Sequence, residues 1–500
     1  MSSARGYDEQ AFLALQERLV PMWPGMTIRT HEATSRAIFV VSSISFDVPT
    51  HMTPVLPAYE ERYLFMVLAL ARSRNAQVIY VTSSPMLPRL VDYYLDMTAG
   101  IDASELRKRL RVVSVGDPSP RPLTAKILDR PLLVERLRGM AEGYDHALLI
   151  PFMTTPLEVE LALRLDVPIY GPSPSLAHLG TKTGSRATFA AAGVPMPRGV
   201  SGVRDRTDIM SAIHELYVEE ATGRFVVKTD AGAGGLGNAF VDVKSGSAPD
   251  IARAVDALTP SDPDITREQF LVDLAVGGGV VEEWVTGEEV VSPSVQLRAS
   301  PFGDVEVLST HDQLLGGRGG LTFLGCRFPA AAPFIEPLTR HGRAIGQELA
   351  RHGVIGRFAI DFVMVRRGDT WNPFAIEINL RNGGTTHPLL TLLALTDGEY
   401  DEDSGQVITA TGPKRYVATD HVERPEYRHL TPDDVLDLVT DSKLGWNDQT
   451  QTGVALHMVS AVASGGRLGA TAIANEHEQA QSLYDRVGRC LDVATGAAPP

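Results

Sequence analysis

The sequence predicts an α/β protein in its first third and an α+β arrangement in its middle third, because the hydrophobic pattern changes near residue 180. Before that point, apolar strand-like runs alternate with helical spacing, an order that is typical of a parallel sheet. After it, from 224 to 380, short β-branched runs are separated by glycine-rich turns. The first strand-like runs are 36–47, 77–82, 112–115, 146–151 and 167–170, with helical stretches at 58–72, 123–140 and 155–165.

Three domains are predicted, since a chain of 500 residues with 44% apolar residues exceeds what one hydrophobic core serves. Pro172, Pro174 and the segment 180–184 interrupt the pattern before a new helical stretch. Residues 398–409 are polar and acidic and are predicted to form a linker. We therefore place the domains at residues 1–175, 176–397 and 398–500.

Composition excludes several classes of partner. The formal net charge is −15 and no basic run occurs, so we expect no nucleic acid partner. Cys326 and Cys490 lack the spacing of a zinc site or a disulfide framework, which favours a reduced, cytoplasmic protein. The first residues lack the apolar core of a signal peptide, and no stretch of ~18 apolar residues follows, so no membrane association is expected.

Two strand-like runs, 358–365 and 374–381, carry a candidate metal site. Alternate residues of a strand share a face, so Glu377, Asn379 and Arg381 point to the side opposite the apolar residues. If a hairpin closes near Asp369, Asp361 lies opposite Glu377, which brings two carboxylates and an amide oxygen to one Mg²⁺ ion. The alternative is a hairpin whose polar face simply meets water.

A glycine-rich loop follows the run FVVKTD and is a candidate phosphate site. Closely spaced glycines let backbone N–H groups approach a phosphate, and Lys228 supplies positive charge. The loop is neither a Walker loop nor a clean dinucleotide fingerprint, and a flexible hairpin loop with a solvated lysine is the alternative. The glycines that we assign to phosphate binding are Gly234, Gly235 and Gly237.

Two further segments carry candidate nucleotide contacts. Lys182 opens the stretch TKTGSR, where an ordinary surface lysine is the alternative. The segment 280–290 could present its backbone to an adenine edge and Glu289 to ribose hydroxyls, and its alternative is an amphipathic edge strand. Its candidate residues are Glu282, Glu283, Trp284, Val285 and Glu289.

The order of these elements resembles the ATP-grasp superfamily over about residues 175–395. VEEWVTGEE resembles the adenine-binding hinge of D-alanine:D-alanine ligases, and EINLRNGG resembles the metal and substrate end of amine ligases. More narrowly, the segments SISFD, KTGSR, EINLRNGGTTHP and GVALHM are similar to the pheganomycin-type peptide ligases over most of the chain. The loop AGAGGLGN departs from the family pattern, since it has no small polar residue before its later glycines.

The resemblance implies an ATP-grasp fold that follows an N-terminal Rossmann-like domain and precedes a small C-terminal domain. It implies ATP and Mg²⁺, with Mn²⁺ as a substitute, and a carboxylate that is joined through an acylphosphate to an amine or peptide in natural-product biosynthesis. A homodimer is a superfamily-level expectation. In the implied roles, Asp361, Glu377 and Asn379 hold magnesium, Lys182 and Lys228 neutralise phosphates, Glu282 and the Val285 backbone bind adenine, and Glu289 binds ribose.

Arginines are the candidate catalytic side chains. Arg381 lies on the metal face and could stabilise a developing oxyanion. Arg318, in the glycine-rich segment 311–329, is the second candidate, and its alternative is a solvated surface arginine. For His311, Arg298, Arg357 and His457, packing roles are the stronger interpretation.

Two other functions stay open at this point. One is a different ATP-grasp chemistry, which the absence of a biotin-type Met-Lys-Met segment and of a phosphohistidine domain disfavours. The other is an ATP-binding regulatory module without turnover, which the full set of metal and lysine positions disfavours.

Overall fold

The structure is a computed structural model that describes residues 6–25, 34–45, 50–98, 102–218, 223–230 and 237–497. Its strands form three sheets among these residues. None of the helices in this described part is both long enough and apolar enough to cross a membrane.

The N-terminal part is a parallel sheet with strand order β3-β2-β1-β4. Its two central strands are almost entirely buried, because helices cover both faces, and this explains their continuous apolar runs in the sequence. The strands are β1 (Arg36–Val41), β2 (Ala76–Thr82), β3 (Leu110–Ser114) and β4 (His146–Pro151). The helices are α1 (Glu9–Gln16), α2 (Leu19–Met22), α3 (Leu56–Tyr59), α4 (Phe65–Arg72), α5 (Pro88–Asp96), α6 (Ala103–Lys108), α7 (Leu123–Leu128), α8 (Pro131–Gly139) and α9 (Pro156–Leu165).

A small antiparallel sheet follows, with strand order β5-β9-β6-β7-β8. One face packs on its own helices, with Val227, Val281 and Phe270 in a shared core. The strands are β5 (Gly199–Val203), β6 (Arg224–Thr229), β7 (Asn238–Asp242), β8 (Thr259–Pro260) and β9 (Gly279–Glu283), and the helices are α10 (Lys182–Ala191), α11 (Arg206–Leu216), α12 (Ala248–Asp256) and α13 (Arg267–Gly277).

The largest described sheet is antiparallel and runs from the middle of the chain into its C-terminal part. Its strands are β10 (Glu289–Val291), β11 (Pro293–Ala299), β12 (Val305–Gly316), β13 (Thr322–Phe328), β14 (Gly356–Arg367), β15 (Thr370–Asn379), β16 (Glu399–Asp401), β17 (Gln406–Thr409), β18 (Gly412–Glu423), β19 (Gly453–His457) and β20 (Arg467–Ala474). Its helices are α14 (Ala332–Arg351), α15 (Thr386–Thr396), α16 (Pro432–Asp441), α17 (Ala461–Gly465) and α18 (His477–Thr495). The pairing of β13 with β18 makes the C-terminal strands continuous with the central ones.

The prediction of a linker at 398–409 is wrong. These residues contain β16 and β17, which pair with each other, and β17 pairs with β18. Val407 is fully buried in the main core and Tyr400 packs against it. The two apolar side chains stabilise the strands despite the polar composition around them, so composition alone misled the assignment.

The N-terminal and C-terminal parts share one hydrophobic core. Leu68 of α4, Leu392 of α15 and Leu456 of β19 belong to the same cluster of buried residues. The Tyr94 hydroxyl donates to the Leu456 carbonyl at 2.7 Å. This bond gives the polar end of the tyrosine a partner inside the core. The N-terminal and C-terminal parts therefore pack against each other around the central sheets. The N-terminal, central and C-terminal parts all contribute residues to one cavity.

Candidate active site

A cavity of about 1070 Å³ lies between the small sheet, the large sheet and the N-terminal part. The predicted residues Lys182, Lys228, Asp361, Glu377 and Asn379 all line it. Glu282, Glu283, Trp284, Val285, Glu289 and Arg381 line the same cavity. Residues that are up to 200 positions apart in sequence thus meet at one site.

Asp361 lies opposite Glu377 in the β14–β15 hairpin, as the sequence predicts, although the pairing shifts register between Asp361 and Phe362. Asp361 pairs with Glu377, and the strands turn between Arg367 and Thr370. Burial, followed by the nearby Glu377 charge, raises the pKa of Asp361 to about 7. The Asp361 carboxylate accepts from the side chains of Asn379 at 2.9 Å and Gln313 at 2.6 Å. The polar face of this hairpin therefore meets the cavity rather than bulk water.

The donor set fits Mg²⁺. Two carboxylates and an amide oxygen provide hard oxygen ligands, which magnesium prefers. Burial, followed by the nearby Glu377 charge, raises the pKa of Asp361 and so disfavours its ionised form. A divalent ion between these groups would remove that penalty.

Helix α10 places Lys182 against the carboxylates. The Thr181 hydroxyl caps the helix by accepting from Gly184 N, and the Ser185 hydroxyl accepts from Ile378 N of β15 at 3.1 Å. These contacts fix the first turn of α10 on the hairpin. The Lys182 ammonium, which is buried, lies 2.6 Å from the Glu377 carboxylate.

Lys228 belongs to a buried triad. Its ammonium donates to one Glu282 oxygen at 2.5 Å, and Arg186 donates to the other at 2.7 Å. Burial alone would raise the pKa of Glu282, but the charges and hydrogen bonds of Lys228 and Arg186 outweigh it, and the pKa lies below its usual value. Glu282 therefore stays ionised and holds both cations at the cavity wall.

The remaining residues of the predicted adenine segment lie at the edge of the cavity. The Trp284 ring meets Phe240 edge-to-face at 5.5 Å between centroids. Glu289 begins β10, and its carboxylate accepts from Arg366 Nε at 3.2 Å in an exposed pair. Glu283 lies 3.8 Å from Arg198, also in a solvent-exposed pair. These acidic groups are accessible from the cavity.

Arg381 reaches the metal residues after the end of β15. Its guanidinium donates to Asn379 Oδ1 at 3.0 Å and to the Asn382 carbonyl at 3.1 Å. The same group lies 5.6 Å from the centre of the Phe152 ring. The Arg381 guanidinium therefore lies beside Asn379, and its catalytic role stays a prediction.

Some predicted residues cannot be placed. Gly234 and Gly235 lie outside the described residues, as does the side chain of Arg318. Gly237, where the description resumes, has a φ of 78° and its carbonyl accepts from Thr229 N at 2.8 Å. This positive φ favours glycine, and the hydrogen bond joins Gly237 to the end of β6.

Sequence reasoning missed Arg186, which bonds to Glu282 behind the cavity wall, and several residues of the wall itself, which are Tyr59, Arg62, Phe152, Gln313, Asp420 and Arg467. Arg186 had a detectable signal, because it lies one helical turn after Lys182 and shares its face. The others come from segments that meet only in the folded chain. Nothing in their local sequence distinguishes them from packing residues.

His387, Asp420 and His457 form a buried cluster next to this wall. His457 Nε2 lies 2.8 Å from Asp420 Oδ1 and 3.1 Å from His387 Nε2, a geometry that could also hold a metal ion. Arg62 donates to the other Asp420 oxygen at 3.0 Å, so the one carboxylate of the cluster is already neutralised. A dication would leave about two uncompensated positive charges in the core, so we interpret the cluster as a hydrogen-bonded network.

Three other candidates have structural roles. His311 is fully buried and bonds to the Tyr416 hydroxyl at 2.6 Å, and burial lowers its pKa to about 3. Arg298 is buried with its guanidinium against Glu306 and over the Trp23 ring. The interpretation of His457 as a core residue is also confirmed.

Comparisons with known proteins agree with this site. A family model described as "IQCH-like, ATP-grasp" matches residues 174–258 and 265–402, and one described as "PGM1 C-terminal domain" matches residues 434–487. The L-propargylglycine--L-glutamate ligase of Streptantibioticus cattleyicolor is 30% identical over 440 residues, which are 86% of this chain and 88% of that protein. The chain belongs to the ATP-grasp ligases.

The fold of this ATP-grasp ligase is shared more widely. N5-carboxyaminoimidazole ribonucleotide synthetase, solved as an ADP complex, superposes with a TM-score of 0.52 at 13% identity, and the match covers 94% of this chain and all of that one. IQ motif-containing protein H of Danio rerio is 25% identical over 404 residues, which are 70% of this chain and 37% of that protein. The predicted fold class, with an N-terminal parallel sheet before the ATP-grasp region, is thus confirmed.

Proposed function

We propose that the chain is an ATP-dependent carboxylate–amine ligase that forms an amide bond through an acylphosphate in peptide natural-product biosynthesis. The observation that carries this proposal is the facing pair of Asp361 and Glu377, which shares one cavity with Lys182 and Lys228. An active site that transfers a phosphoryl group from ATP needs carboxylates that bind a cation and ammonium groups that bind the phosphates.

The reaction has two steps. In the first, a substrate carboxylate oxygen attacks the γ-phosphorus of ATP, the bond to the β-phosphate oxygen breaks, and ADP leaves. In the second, the amine nitrogen attacks the acyl carbon, the bond from that carbon to the phosphate oxygen breaks, and the nitrogen loses a proton. Phosphate leaves and the amide remains.

The chain contributes positioning and charge. Asp361, Glu377 and Asn379 would hold Mg²⁺, which supplies neutralisation of the phosphate charge when bound. Lys182 would leave its ion pair with Glu377 and bind a phosphate instead. Arg381, next to Asn379, is placed to donate to the oxyanion that forms at the acyl carbon.

We assign the adenine to the cavity edge at Trp284 and Val285, with Glu289 near the ribose. For Glu282 we propose a revised role, since both of its oxygens accept from buried cations. It would hold Lys228 and Arg186 in place for the phosphates. The homodimer, the cytoplasmic location and the boundaries at 175 and 397 stay predictions.

The substrates are proposed to be amino acids or short peptides. Support comes from the name of the relative from Streptantibioticus cattleyicolor, which states that it joins L-propargylglycine to L-glutamate. A cavity of about 1070 Å³ has room for a nucleotide together with two substrates of this size.

The test is release of ADP and phosphate from Mg·ATP with a panel of amino acids and short peptides, with mass spectrometry of the products. Release that needs both a carboxylate and an amine, yields an amide and is lost in Glu377→Gln is the expected result. Nucleotide binding without turnover across the panel would contradict the proposal and favour a regulatory ATP-binding module. The exposed variant Glu336→Gln is the control for loss of one negative charge.

A further inference from the structure

One wall of the cavity carries three guanidinium groups that alternate with two aromatic rings. The Arg381 guanidinium carbon lies 5.6 Å from the Phe152 ring centre, and that of Arg62 lies 5.5 Å from the same ring. Arg62 is also 4.6 Å from the Tyr59 ring centre, and Arg467 is 5.6 Å from it. We call Arg381, Arg62 and Arg467 the arginine row. It begins beside the metal residue Asn379 and extends away from it.

Arg62 and Arg467 each have one acidic partner, and the Glu377 and Asp361 charges lie near Arg381. Asp420 bonds to Arg62, whereas Glu423 is half-exposed and 3.8 Å from Arg467. Within the described residues, the Nε atoms of Arg62 and Arg467 are buried and have no hydrogen-bond partner. Buried donors without an acceptor are unfavourable. The three arginines also line the cavity, where a ligand can contact their guanidinium groups.

The row is held rigidly in place. Asn382 donates from its backbone to the Phe152 carbonyl at 3.1 Å and from its side chain to the Pro151 carbonyl at 3.0 Å, and these bonds join the end of β4 to the turn after β15. Asp420, which holds Arg62, is itself fixed by His457 at 2.8 Å. The Tyr59 hydroxyl accepts from Arg467. A site whose donors are fixed before binding loses little conformational entropy when a ligand arrives.

The row is separate from the groups that would bind ATP. Lys182, Lys228 and the segment around Trp284 come from the central part of the chain. Tyr59, Arg62 and Phe152 come from the N-terminal part and Arg467 from β20. Only Arg381 belongs to both the metal end and the row.

We propose that the arginine row is the subsite for the free carboxylates of the amine substrate, and that this substrate is an acidic amino acid or a short peptide containing one. The proposal rests on the ligase function. Guanidinium groups bind carboxylates through charge-assisted hydrogen bonds, and those of Arg62, Arg381 and Arg467 line the cavity. The amine end of such a substrate would lie at Arg381, beside the acyl carbon, while its carboxylates extend along Arg62 and Arg467.

The experiment measures binding to the full chain with Mg²⁺ and a non-hydrolysable ATP analogue by isothermal titration calorimetry. The probes are L-glutamate, L-aspartate and γ-glutamylglycine, each compared with its uncharged amide counterpart. At least one acid is expected to bind about tenfold or more tightly than its amide, since hydrogen bonds to charged groups contribute at this level. If no acid binds better than its amide, the proposal is overturned.

Variants of Arg467 test whether this residue causes the preference for the acid over its amide. Arg467→Gln should remove most of the preference for the acid, and Arg467→Lys, which keeps the charge but loses the fork, should keep part of it. Arg486→Gln removes an exposed arginine of α18 outside the cavity and should leave the preference unchanged. Retention of the full preference in a folded Arg467→Gln protein would contradict the assignment.

The subsite and the ligase reaction can fail separately. Selective acid binding without ADP release from any substrate pair would leave the subsite in place and contradict the ligase. ADP release with amide formation, but with no discrimination between acids and amides, would support the ligase and overturn the subsite.

Discussion

The Lys182 ammonium lies 2.6 Å from the Glu377 carboxylate and joins the first turn of α10 to β15. Both groups are largely buried, so the pair is screened little by solvent. Without a nucleotide, each thus partners the other. When Mg·ATP binds, Glu377 would contact the magnesium ion and Lys182 would contact a phosphate. The ion pair between Lys182 and Glu377 would then be replaced by these two contacts.

Loss of the Lys182 charge should affect phosphate binding and metal binding in opposite directions. We expect Lys182→Met to weaken ATP binding by about tenfold or more, since a charge-assisted contact is lost. In the absence of nucleotide, the same variant should bind Mn²⁺ more tightly, because a positive charge beside Glu377 is removed. Titration calorimetry and Mn²⁺ electron paramagnetic resonance measure the two effects. The exposed Lys244→Met is the control, and weaker Mn²⁺ binding in Lys182→Met would contradict the exchange.

The Glu282 triad should matter for stability. Glu282→Gln leaves Lys228 and Arg186 buried without their anion, so we expect a loss of roughly 3–5 kcal/mol in the free energy of unfolding. The neighbouring Glu283→Gln removes the same charge from an exposed pair and should change stability by less than about 1 kcal/mol. Urea denaturation followed by tryptophan fluorescence compares the two. Equal losses would show that Glu282 is not the anchor of the triad.

The buried Glu61 predicts a dependence of stability on pH. Burial raises its pKa from 4.5 to about 7, while Ser460 N donates to it at 3.3 Å. The folded state then binds an extra proton between these values, so the stabilisation is present below pH ~4.5 and is lost as the pH rises through ~7. Relative to Glu61→Gln, the native chain should lose roughly 3 kcal/mol between pH 5 and pH 8.

Thermal and urea unfolding at the two pH values measure this difference. Glu135→Gln, on the exposed face of α8, is the matched control and should follow the native chain. If the stability difference between native and Glu61→Gln proteins is the same at both pH values, the buried carboxyl does not take up the proton.

Gly469 is predicted to be required for the His457 position. A Cβ on Gly469 would lie 2.0 Å from His457 Nε2 across the β19–β20 pair, so Gly469→Ala must displace the ring. We expect a loss of about 1–3 kcal/mol, which is usual for overpacking in a core. Gly488→Ala, in α18 with open space around its Cβ, should be neutral or stabilise by up to about 1 kcal/mol. Unfolding free energies of the two variants test this, and a neutral Gly469→Ala would show that the ring can move without cost.

Local pattern predicted the facing pair of the hairpin and failed at the linker. The alternation in FAIEIN predicts that Glu377 and Asn379 share a face, and a hairpin centred near Asp369 predicts Asp361 opposite Glu377. The structure reaches this pairing through a register shift between Asp361 and Phe362, which the local pattern does not indicate. At 398–409 the polar majority concealed Tyr400 and Val407, which are buried only because β18 and the core lie beside them. A strand of three or four residues carries too little periodicity to be identified alone.

The sequence by itself determined the ATP-grasp family and predicted Asp361, Glu377 and Asn379 as metal residues together with the two lysines, because each lies in a local motif with a fixed spacing. Only the tertiary structure decided that Glu282 anchors Lys228 and Arg186, and that Arg62 and Arg467 join Arg381 on one wall. Arg62 and Arg467 are separated by about 400 residues and meet through the packing of the N-terminal part against β20. Contacts over such separations depend on burial and sheet pairing across the whole chain, and local spacing carries no information about them.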